Sequence, residues 1–535
     1  MSYALRNIQF IKRSARADFF ILWIESRYFD WIGIQLKYMA NREKIESFYR
    51  LWTSEIDKLF SGYIYDEVGK LNPTRYIFSY YLTLLEKLAG NRLEEIEKIN
   101  LLSGIRGVGK TTLLAQLYYA PKFISPYKKR NYGNVFSQNY EKIYLDVSRL
   151  AAEGIGLTEF FNYYQEVNNI RFVDLDKKLL ILLDEVHYDE KWGLFLKNIF
   201  DATKNHKNVL VVATGSSALR IKLNPDLSRR SLSEELYPLK FNEYVILKSD
   251  IYPPRGLSDN LVEAILTSKN AKELFEFYKN RQNEISRYIS KIPPHSEEDY
   301  LYFGGFPFVL RLKNKKSIVF ELVSGVIDKL ITKDLLEMKR FSSETISKIK
   351  DLLYLMASSD NTIDKLCNTL KLDYRPVRGV LDALVQSGVL VEIKSYGQKF
   401  VRVRKPIKFL FISPSLRISI LNGILPPEVK GKILEDYLTL IFINDFRKKE
   451  KKYGGIEIMH DSSSGGADFI LRIGKEKKII IEVGFGKKGD GVKQIENTGK
   501  TVGGYDYGII VNRKSGLELV NDKIIKMPLS FWLAM

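Results

Sequence analysis

Three glycines, a lysine and a threonine lie within eight residues and are spaced to hold a phosphate chain. The segment Gly104-Ile105-Arg106-Gly107-Val108-Gly109-Lys110-Thr111 has the spacing G-x-x-x-x-G-K-[ST]. The glycines let the backbone bend and approach phosphate oxygens, the lysine reaches the outer phosphates, and the threonine hydroxyl suits Mg²⁺. With Thr112 opening a helix whose positive end faces the anion, the pattern predicts a nucleotide-binding P-loop.

Two carboxylates follow the apolar run 179–183, namely Asp184 and Glu185. An unbroken apolar run is typical of a strand buried on both faces of a parallel sheet, and ligands bind at the carboxyl ends of such strands. We expect Asp184 to support Mg²⁺ and Glu185 to orient and polarise an attacking water.

A further apolar run, 209–213, follows Asn208 and ends in polar residues. It predicts a neighbouring strand that presents Thr214 or Ser216 to the γ-phosphate or to the water, as a sensor. The alternative is a Ser/Gly turn that merely closes the strand.

Buried strands followed by helices are needed to position these residues, and this combination predicts an α/β protein. The chain has 535 residues, 45% of them hydrophobic, which is enough for several domains with real cores. We predict a parallel P-loop sheet, a helical lid, a winged helix and an α/β nuclease-like domain. The predicted boundaries are 1–94 for a helical N-terminal region, 95–250 for the ATPase core, 251–340 for the lid, 341–425 for the winged helix and 426–535 for the last domain.

The charge and the cysteine content limit the partners and ligands. The net charge of +19 favours nucleic acid or another anionic partner, although a lysine-rich proteome would give the same balance. The single cysteine, Cys367, excludes an intramolecular disulfide and a cysteine-rich zinc site. No stretch is long and uncharged enough to span a membrane, and the N-terminus lacks a secretory cleavage pattern, so we expect a cytoplasmic protein.

Residues 347–415 have the helix and strand pattern of a winged helix. The recognition helix is predicted at 374–387 and the wing at 395–399, between strands near 389–393 and 400–403. Several cations of this region would then face DNA phosphates, unless the winged helix is a plain packing module. These cations are Arg375, Arg378, Lys394, Lys399, Arg402 and Arg404.

The last domain contains the acidic part of a PD-(D/E)XK nuclease pattern. Glu435 lies on a predicted helix, and Asp468 and Glu482 lie on predicted strands. The pattern requires E-x-K, but Gly484 stands at the lysine position. Lys487 or Lys488 would substitute if the chain folded back, so we expect a nuclease-like fold whose site is degenerate.

Six strings of this sequence resemble AAA+ ATPases of archaea and bacteria. They are GIRGVGKTTLL, LLILLDEVHYDEKWGLFLKNIFD, VLVVATGSSALRI and DLSRRSLSEELYPLKFNEYV, and the later YLYFGGFPFVL and KPIKFLFISPSLR. In these relatives the C-terminal half is the DUF4143 region. The resemblance covers the chain from about residue 95. It implies an arginine finger at Arg229 or Arg230, which acts in cis or on a neighbouring subunit.

Together these features predict a Mg²⁺-dependent ATPase that binds and hydrolyses ATP. Coupling to DNA or RNA through a basic surface, and a homo-oligomer, are further expectations. Two alternatives stay open, a slow nucleotide switch with a protein partner and an ATP-gated nuclease. The rate of turnover would distinguish the ATPase from the slow switch. Gly484 argues against the ATP-gated nuclease.

Overall fold

The computed structural model describes residues 41–125, 129–215, 227–312, 316–335, 341–359, 362–397, 406–427, 429–484, 490–513 and 516–535. The predictions for Ser216, Lys487 and Lys488 lie outside these residues, as do those for Lys399, Arg402 and Arg404 of the wing. The predicted strand at 400–403 also lies outside them.

A parallel sheet of five described strands forms the first half of the molecule, in the order β2-β3-β4-β1-β5. Because β1 lies beside β4 and β4 lies beside β3, the ends of these three strands meet at one edge of the sheet. This arrangement confirms the predicted α/β class with a P-loop sheet. The strands are β1 (Ile99–Ser103), β2 (Glu141–Asp146), β3 (Leu179–Asp184), β4 (Val209–Gly215) and β5 (Leu232–Glu235).

Continuous apolar sequence explains why the central strands are buried on both faces. Every residue of β3 and β4 is buried, as the unbroken runs 179–183 and 209–213 require. Helices pack around the sheet and cover these faces. They are α1 (41–64), α2 (Ile77–Ala89), α3 (Lys110–Tyr118), α4 (Ala120–Phe123), α5 (Gly133–Phe136), α6 (Val147–Ala152), α7 (Leu157–Val167), α8 (Trp192–Ala202) and α9 (Phe241–Ser249).

The N-terminal helix α1 packs against the sheet. Trp52 is buried, stacks on Tyr144 of β2 and donates its indole N–H to the Tyr144 carbonyl at 2.7 Å. A buried indole needs such a partner for its N–H, so this bond fixes where the helix lies. The predicted helical lead-in therefore packs on the parallel sheet.

Helices follow the sheet, as the predicted lid requires, and lead to a second helical unit. The lid helices are α10 (Leu257–Thr267), α11 (Ala271–Ile289) and α12 (Ser296–Phe303). A 3-10 segment (Pro307–Arg311), α13 (Lys316–Lys329) and a π-helical turn (Leu330–Leu335) come next. The unit then contains α14 (Ser343–Ser347), α15 (Ile349–Ser358), α16 (Ile363–Leu370), α17 (Tyr374–Gln386) and α18 (Pro414–Ile420).

A second, mixed sheet joins this unit to the C-terminal part, in the order β12-β13-β11-β10-β9-β8-β6-β7. The described partner of β6 in its hairpin is β7, in antiparallel register, and β6 also pairs with β8. The boundary predicted near residue 425 thus separates strands that share one sheet. The strands are β6 (Leu390–Ser395), β7 (Lys408–Phe411), β8 (Ile456–His460), β9 (Phe469–Ile473), β10 (Lys477–Gly484), β11 (Tyr507–Asn512), β12 (Glu518–Asn521) and β13 (Ile524–Pro528).

Helices complete the C-terminal part. They are α19 (Val429–Ile441), which continues into a π-helical turn (Phe442–Phe446) and a 3-10 turn (Arg447–Lys449), α20 (Asp490–Thr501) and α21 (Leu529–Leu533). Within the described residues, no helix combines the length and the apolar character needed to cross a bilayer.

Candidate functional site

The P-loop leaves the carboxyl end of β1 and leads directly into α3. Gly104, Gly107 and Gly109 have φ values of 157°, 83° and 98°, a backbone region that favours glycine and explains the spacing of the motif. Lys110 begins α3 and is 5% exposed. Its ammonium donates to the carbonyls of Gly104 at 2.8 Å and Ile105 at 3.2 Å. The lysine therefore lies inside the loop, where it must exchange these carbonyls for phosphate oxygens.

Asp184 connects the P-loop to the two neighbouring strands. The Thr111 hydroxyl donates to Asp184 Oδ2 at 2.6 Å, and the Thr214 hydroxyl donates to Oδ1. The side chains come from the start of α3, the end of β3 and the end of β4. Three residues predicted from separate motifs thus form one hydrogen-bonded group at the carboxyl edge of the sheet.

The carboxylate of Asp184 carries a charge that its hydroxyl partners do not neutralise. Burial, and then repulsion from Glu185, raises its pKa to about 6, and the Thr111 and Thr214 hydrogen bonds oppose this rise only in part. Hydroxyl and carboxylate oxygens are the hard ligands that Mg²⁺ prefers. The donor set of Thr111 and Asp184 therefore fits Mg²⁺.

Glu185 follows Asp184 in a strained backbone conformation. Its φ of 54° lies in the left-handed region, which is unusual for a residue with a side chain. Its backbone N–H donates to the Thr214 hydroxyl at 3.2 Å, and its Oε2 lies 3.4 Å from His187 Nε2. The strand end is thus bent so that the Glu185 side chain leaves the sheet beside Asp184.

Residues from outside the parallel sheet pack against the tip of the P-loop, and no motif in the sequence predicted these contacts. A Cβ placed on Gly107 would lie 2.7 Å from a ring carbon of Phe308, and one on Gly109 would lie 3.5 Å from Pro307. Phe306 of the same segment is fully buried. The segment 306–308 therefore packs over the loop.

Arg75 also contacts the tip of the P-loop. It lies just before α2 and precedes the P-loop in the sequence, whereas residues 306–308 follow it. One guanidinium nitrogen, NH1, donates to the Val108 carbonyl at 2.9 Å. The opposite edge forms two hydrogen bonds with Glu243 of α9, from NH2 at 2.7 Å and from Nε at 3.1 Å. The side chains of Arg75 and Glu243 are 10% and 5% exposed. No signal in the sequence distinguished Arg75 from the other cations of this helical region.

Arg229 and Arg230 lie just before β5, at the amino-terminal end of the parallel strands. They line a cavity of about 640 Å³ with Phe200 and Asp201, and the Arg230 guanidinium lies 3.3 Å from Asp201 Oδ1. The P-loop follows the opposite end of β1. The arrangement therefore does not support the cis alternative for the arginine finger, whereas the trans alternative stays a prediction.

The cations predicted to face DNA differ in their surroundings. Arg378 forms ion pairs with Asp382 at 2.9 Å and Glu392 at 2.8 Å, and its side chain is 25% exposed. Its charge is neutralised within the protein, which argues against a phosphate contact. Arg375, at the start of α17, is exposed. The Lys394 ammonium lies 4.0 Å from Glu392.

The three acidic residues of the nuclease-like pattern do come together, and a lysine that we had not predicted lies between them. Lys408 of β7 forms ion pairs with Glu435 at 2.5 Å and Asp468 at 3.1 Å. Lys432 also lies 3.1 Å from Glu435. The backbone N–H of Asp468 donates to Glu482 Oε2 at 3.2 Å. A lysine from the β6-β7 hairpin thus supplies a cation to the cluster, whereas the pattern would have placed one at position 484.

The charges of this cluster balance one another. Although burial alone would raise it, the pKa of Glu435 falls to about 2 because Lys408 and Lys432 stabilise the carboxylate. Burial, and then the Asp468 charge, raises the pKa of Glu482 to about 9, so this side chain is protonated at neutral pH. Among the described residues, no three acidic, histidine or cysteine side chains form a group that could hold a metal ion.

Comparison with known proteins gives this chain a family. The uncharacterized protein MJ1637 of Methanocaldococcus jannaschii is 30% identical over 427 residues, which are 79% of this chain and 82% of that protein. The chain belongs to the MJ1637 family. MJ1544 of the same organism is 22% identical over 280 residues, or 51% of this chain and 50% of that protein.

Two domain families match parts of this MJ1637 family member. An AAA domain family, AAA_14, matches residues 96–245, and a domain of unknown function, DUF8612, matches residues 295–424. Residues 96–245 therefore form an AAA domain, a nucleotide-binding domain that contains the P-loop and Asp184, as the resemblance implied. The DUF4143 part of the resemblance stays a prediction.

Several solved structures are weakly similar to this chain. RuvB T158V of Thermotoga maritima is 14% identical and covers 59% of this chain and 89% of its own, with a TM-score of 0.27. AMPPCP-bound DnaA from Aquifex aeolicus is 16% identical and covers 58% and 86%, with a TM-score of 0.23. Similarity at this level supports no conclusion about this chain.

Proposed function

We propose that the chain is an ATPase that binds ATP with Mg²⁺ at the P-loop and transfers the γ-phosphoryl group to water. The observation that carries this proposal is the convergence of Thr111 and Thr214 on the Asp184 carboxylate. Mg²⁺, when bound, neutralises phosphate charge and orients the phosphate oxygens.

The side chains divide the work. Lys110 leaves the loop carbonyls to pair with the outer phosphates, and the P-loop N–H groups hold the phosphate chain. Thr111 and Asp184 hold the metal. Glu185 accepts a hydrogen bond from the attacking water and orients it, while the Thr214 hydroxyl keeps Asp184 and the Glu185 backbone in place.

Binding of ATP by the Lys110→Ala variant tests the proposal. Removing the cation inside the loop should weaken ATP affinity at least a hundredfold in calorimetric titration, because the phosphate charge loses its direct partner. Lys191→Ala is the control, since Lys191 is an exposed lysine on the same core. Equal affinity in the two variants would contradict the P-loop assignment.

Slow hydrolysis by a nucleotide switch with a protein partner is the alternative. It has the same ATP binding and differs in turnover. Steady-state hydrolysis with and without DNA and RNA therefore separates the alternative from the main proposal. Turnover that is slow and unaffected by either nucleic acid would favour the switch.

We also propose that nucleic acid binds through backbone charge, supported by the net charge of +19. The exposed candidates are Arg375 and the pair Lys448 and Lys451. If these contact phosphates, log K should fall with log salt by about 0.9 per phosphate on duplex DNA, and charge reversal should reduce that slope. A truncation after Pro426 cannot test whether the C-terminal part contacts nucleic acid, because it also removes β8, which pairs with β6.

A homo-oligomer in which Arg229 or Arg230 acts on the neighbouring nucleotide is a further proposal. It is supported by the position of both arginines at the sheet edge opposite the P-loop. Specific activity should then rise with protein concentration, and replacing the active arginine should reduce turnover while ATP binding is kept. A linear dependence from a proven monomer would contradict it.

Cleavage of nucleic acid is the remaining candidate, and Lys408 is the observation that bears on it. This lysine provides a cation near Glu435 and Asp468, but it also neutralises the carboxylates that would have to bind Mg²⁺. We therefore propose that the C-terminal site does not cut. A gel assay with Mg²⁺ and Mn²⁺ tests this, and cleavage abolished by Asp468→Asn would overturn it.

A further inference from the structure

We propose that Arg75 is a positioning residue for phosphate binding, which it controls by holding one peptide of the P-loop. This inference rests on the proposed nucleotide site. Arg75 lies outside the matched AAA domain, twenty-one residues before its first residue at 96. Its NH1 group nevertheless donates to the carbonyl of Val108, in the middle of the phosphate-binding motif.

The planarity of the peptide bond gives this contact its consequence. The C=O of Val108 and the N–H of Gly109 belong to the same trans peptide and point in opposite directions. When Arg75 holds the carbonyl on one side, the Gly109 N–H is directed to the other side. Phosphate-binding loops use their N–H groups in this way, so Arg75 presets a phosphate donor before the nucleotide arrives.

Glu243 makes the arrangement rigid. It binds the Nε and NH2 edge of the guanidinium with two hydrogen bonds and leaves NH1 directed at Val108. It also accepts the N–H of Tyr76 at 3.4 Å, which fixes the backbone next to Arg75. Burial would raise the pKa of Glu243, but the charge and hydrogen bonds of Arg75, together with the charges of Lys240 and Lys448, lower it overall, so the pair is ionised.

The chemistry requires arginine at this position. A guanidinium is a planar fork that serves a carboxylate with one edge and a carbonyl with the other. A lysine ammonium has one nitrogen, and pairing it with Glu243 takes it away from Val108. Arg75→Lys therefore keeps the charge of the pair and removes the contact with the P-loop.

The test is ATP affinity of Arg75→Lys, measured by calorimetric titration beside wild type. We expect affinity to fall about tenfold, the usual effect of losing a charge-assisted hydrogen bond. KM for ATP should rise by the same factor while kcat stays within about twofold, because the contact positions the phosphate chain before and during the reaction.

The matched control is Arg417→Lys. Arg417 forms a similarly buried ion pair with Asp436, at 2.6 Å, but in the C-terminal half of the chain. Both lysine variants should lose thermal stability, and the Arg417 variant should keep wild-type ATP affinity. Equal ATP affinity in Arg75→Lys and wild type would overturn the proposal and leave Arg75 with a purely structural role.

A second variant covers the case in which Arg75→Lys does not fold. The double variant Arg75→Gln with Glu243→Gln removes both buried charges together and still lacks the guanidinium contact, so it should show the same tenfold loss. The outcomes also separate the two proposals. Wild-type binding that Lys110→Ala abolishes but the Arg75 variants keep would refute only the Arg75 role, whereas wild type that binds no ATP refutes both.

Discussion

The nucleotide site and the C-terminal carboxylate cluster contain similar residues, yet their charges are arranged in opposite ways. At the nucleotide site the buried Asp184 accepts hydrogen bonds from three neutral hydroxyls, those of Thr111, Thr214 and Tyr144. In the cluster, Lys408 bridges Glu435 and Asp468 at 2.5 and 3.1 Å. Among the described residues, the hydrogen-bond partners of Asp184 are neutral hydroxyls, whereas the carboxylates of the cluster already pair with a lysine.

This difference shows why acidic residues alone do not identify a metal site. Burial of an unpaired carboxylate is unfavourable, so it attracts either a metal ion or a lysine. Hydroxyl partners can turn toward a metal without loss of charge balance. A lysine ammonium cannot share the same oxygens with Mg²⁺ without strong repulsion.

Removing the carboxylate of Glu185 gives the largest expected change at the nucleotide site. Glu185→Gln should still bind ATP but lose about a thousandfold in kcat, because an amide does not accept a proton from water. Steady-state phosphate release measures this. Glu190→Gln, an exposed carboxylate five residues later, is the control. Retained turnover in Glu185→Gln would assign the role to another residue.

Removing Lys408 should make the C-terminal cluster resemble the nucleotide site, with buried carboxylates that lack their shared lysine. Lys408→Met leaves Glu435 and Asp468 buried without their shared cation, which should lower the free energy of unfolding by about 3 kcal/mol. Mg²⁺ or Mn²⁺ should then raise the melting temperature of the variant and leave that of wild type unchanged.

The control for this variant is Lys526→Met. Lys526 pairs with Glu518 at 2.9 Å on the surface, and such pairs contribute less than about 1 kcal/mol. A Lys408→Met protein as stable as wild type and insensitive to divalent cations would show that Lys408 does not neutralise the cluster.

Titration of Asp184 should change the stability and the Mg²⁺ affinity with pH. These changes are smaller, and their directions follow from the pKa. Since burial and Glu185 raise this pKa to about 6, the native protein holds a proton there between about pH 4 and 6 that an unfolded chain releases. Without ligand, the stability from this proton is present below pH 4 and lost as pH rises through 6. Mg²⁺ requires the ionised form, so its affinity changes in the opposite direction.

Mg²⁺-dependent ATP affinity should therefore fall about tenfold between pH 7.5 and pH 5, where about a tenth of Asp184 is ionised. Calorimetric titration across this range measures the change. Asp184→Asn corrects for titration of the nucleotide itself and should give a flatter profile. Identical profiles in the two proteins would exclude Asp184 as the titrating group.

The structure brings together Thr111, Asp184 and Thr214, which the sequence singled out from local signals. The P-loop spacing fixes backbone conformations within eight residues, and the apolar runs before Asp184 and Thr214 define buried neighbouring strands. Parallel pairing then brings their ends together without further information. The predicted sheet and the meeting of Thr111 with Asp184 follow from these rules.

The parts that sequence did not predict depend on contacts between distant segments. Lys408 lies 27 residues before Glu435 and 60 before Asp468, and its hairpin reaches the cluster through the pairing of β6 with β8 and the packing of β7 against α19. Arg75 precedes the P-loop in the sequence and Phe308 follows it by almost two hundred residues, yet both lie against it in the structure. No periodicity or motif marks such residues, because each is ordinary in its own segment.

Counting bound Mn²⁺ by electron paramagnetic resonance, with a non-hydrolysable ATP analogue, tests the contrast between the two sites most directly. We predict one Mn²⁺ per chain that requires the analogue, is lost in Lys110→Ala, is bound more weakly in Asp184→Asn, and is retained in Asp468→Asn. Mn²⁺ that binds without the analogue and is lost in Asp468→Asn, or that remains in Lys110→Ala, would contradict the account.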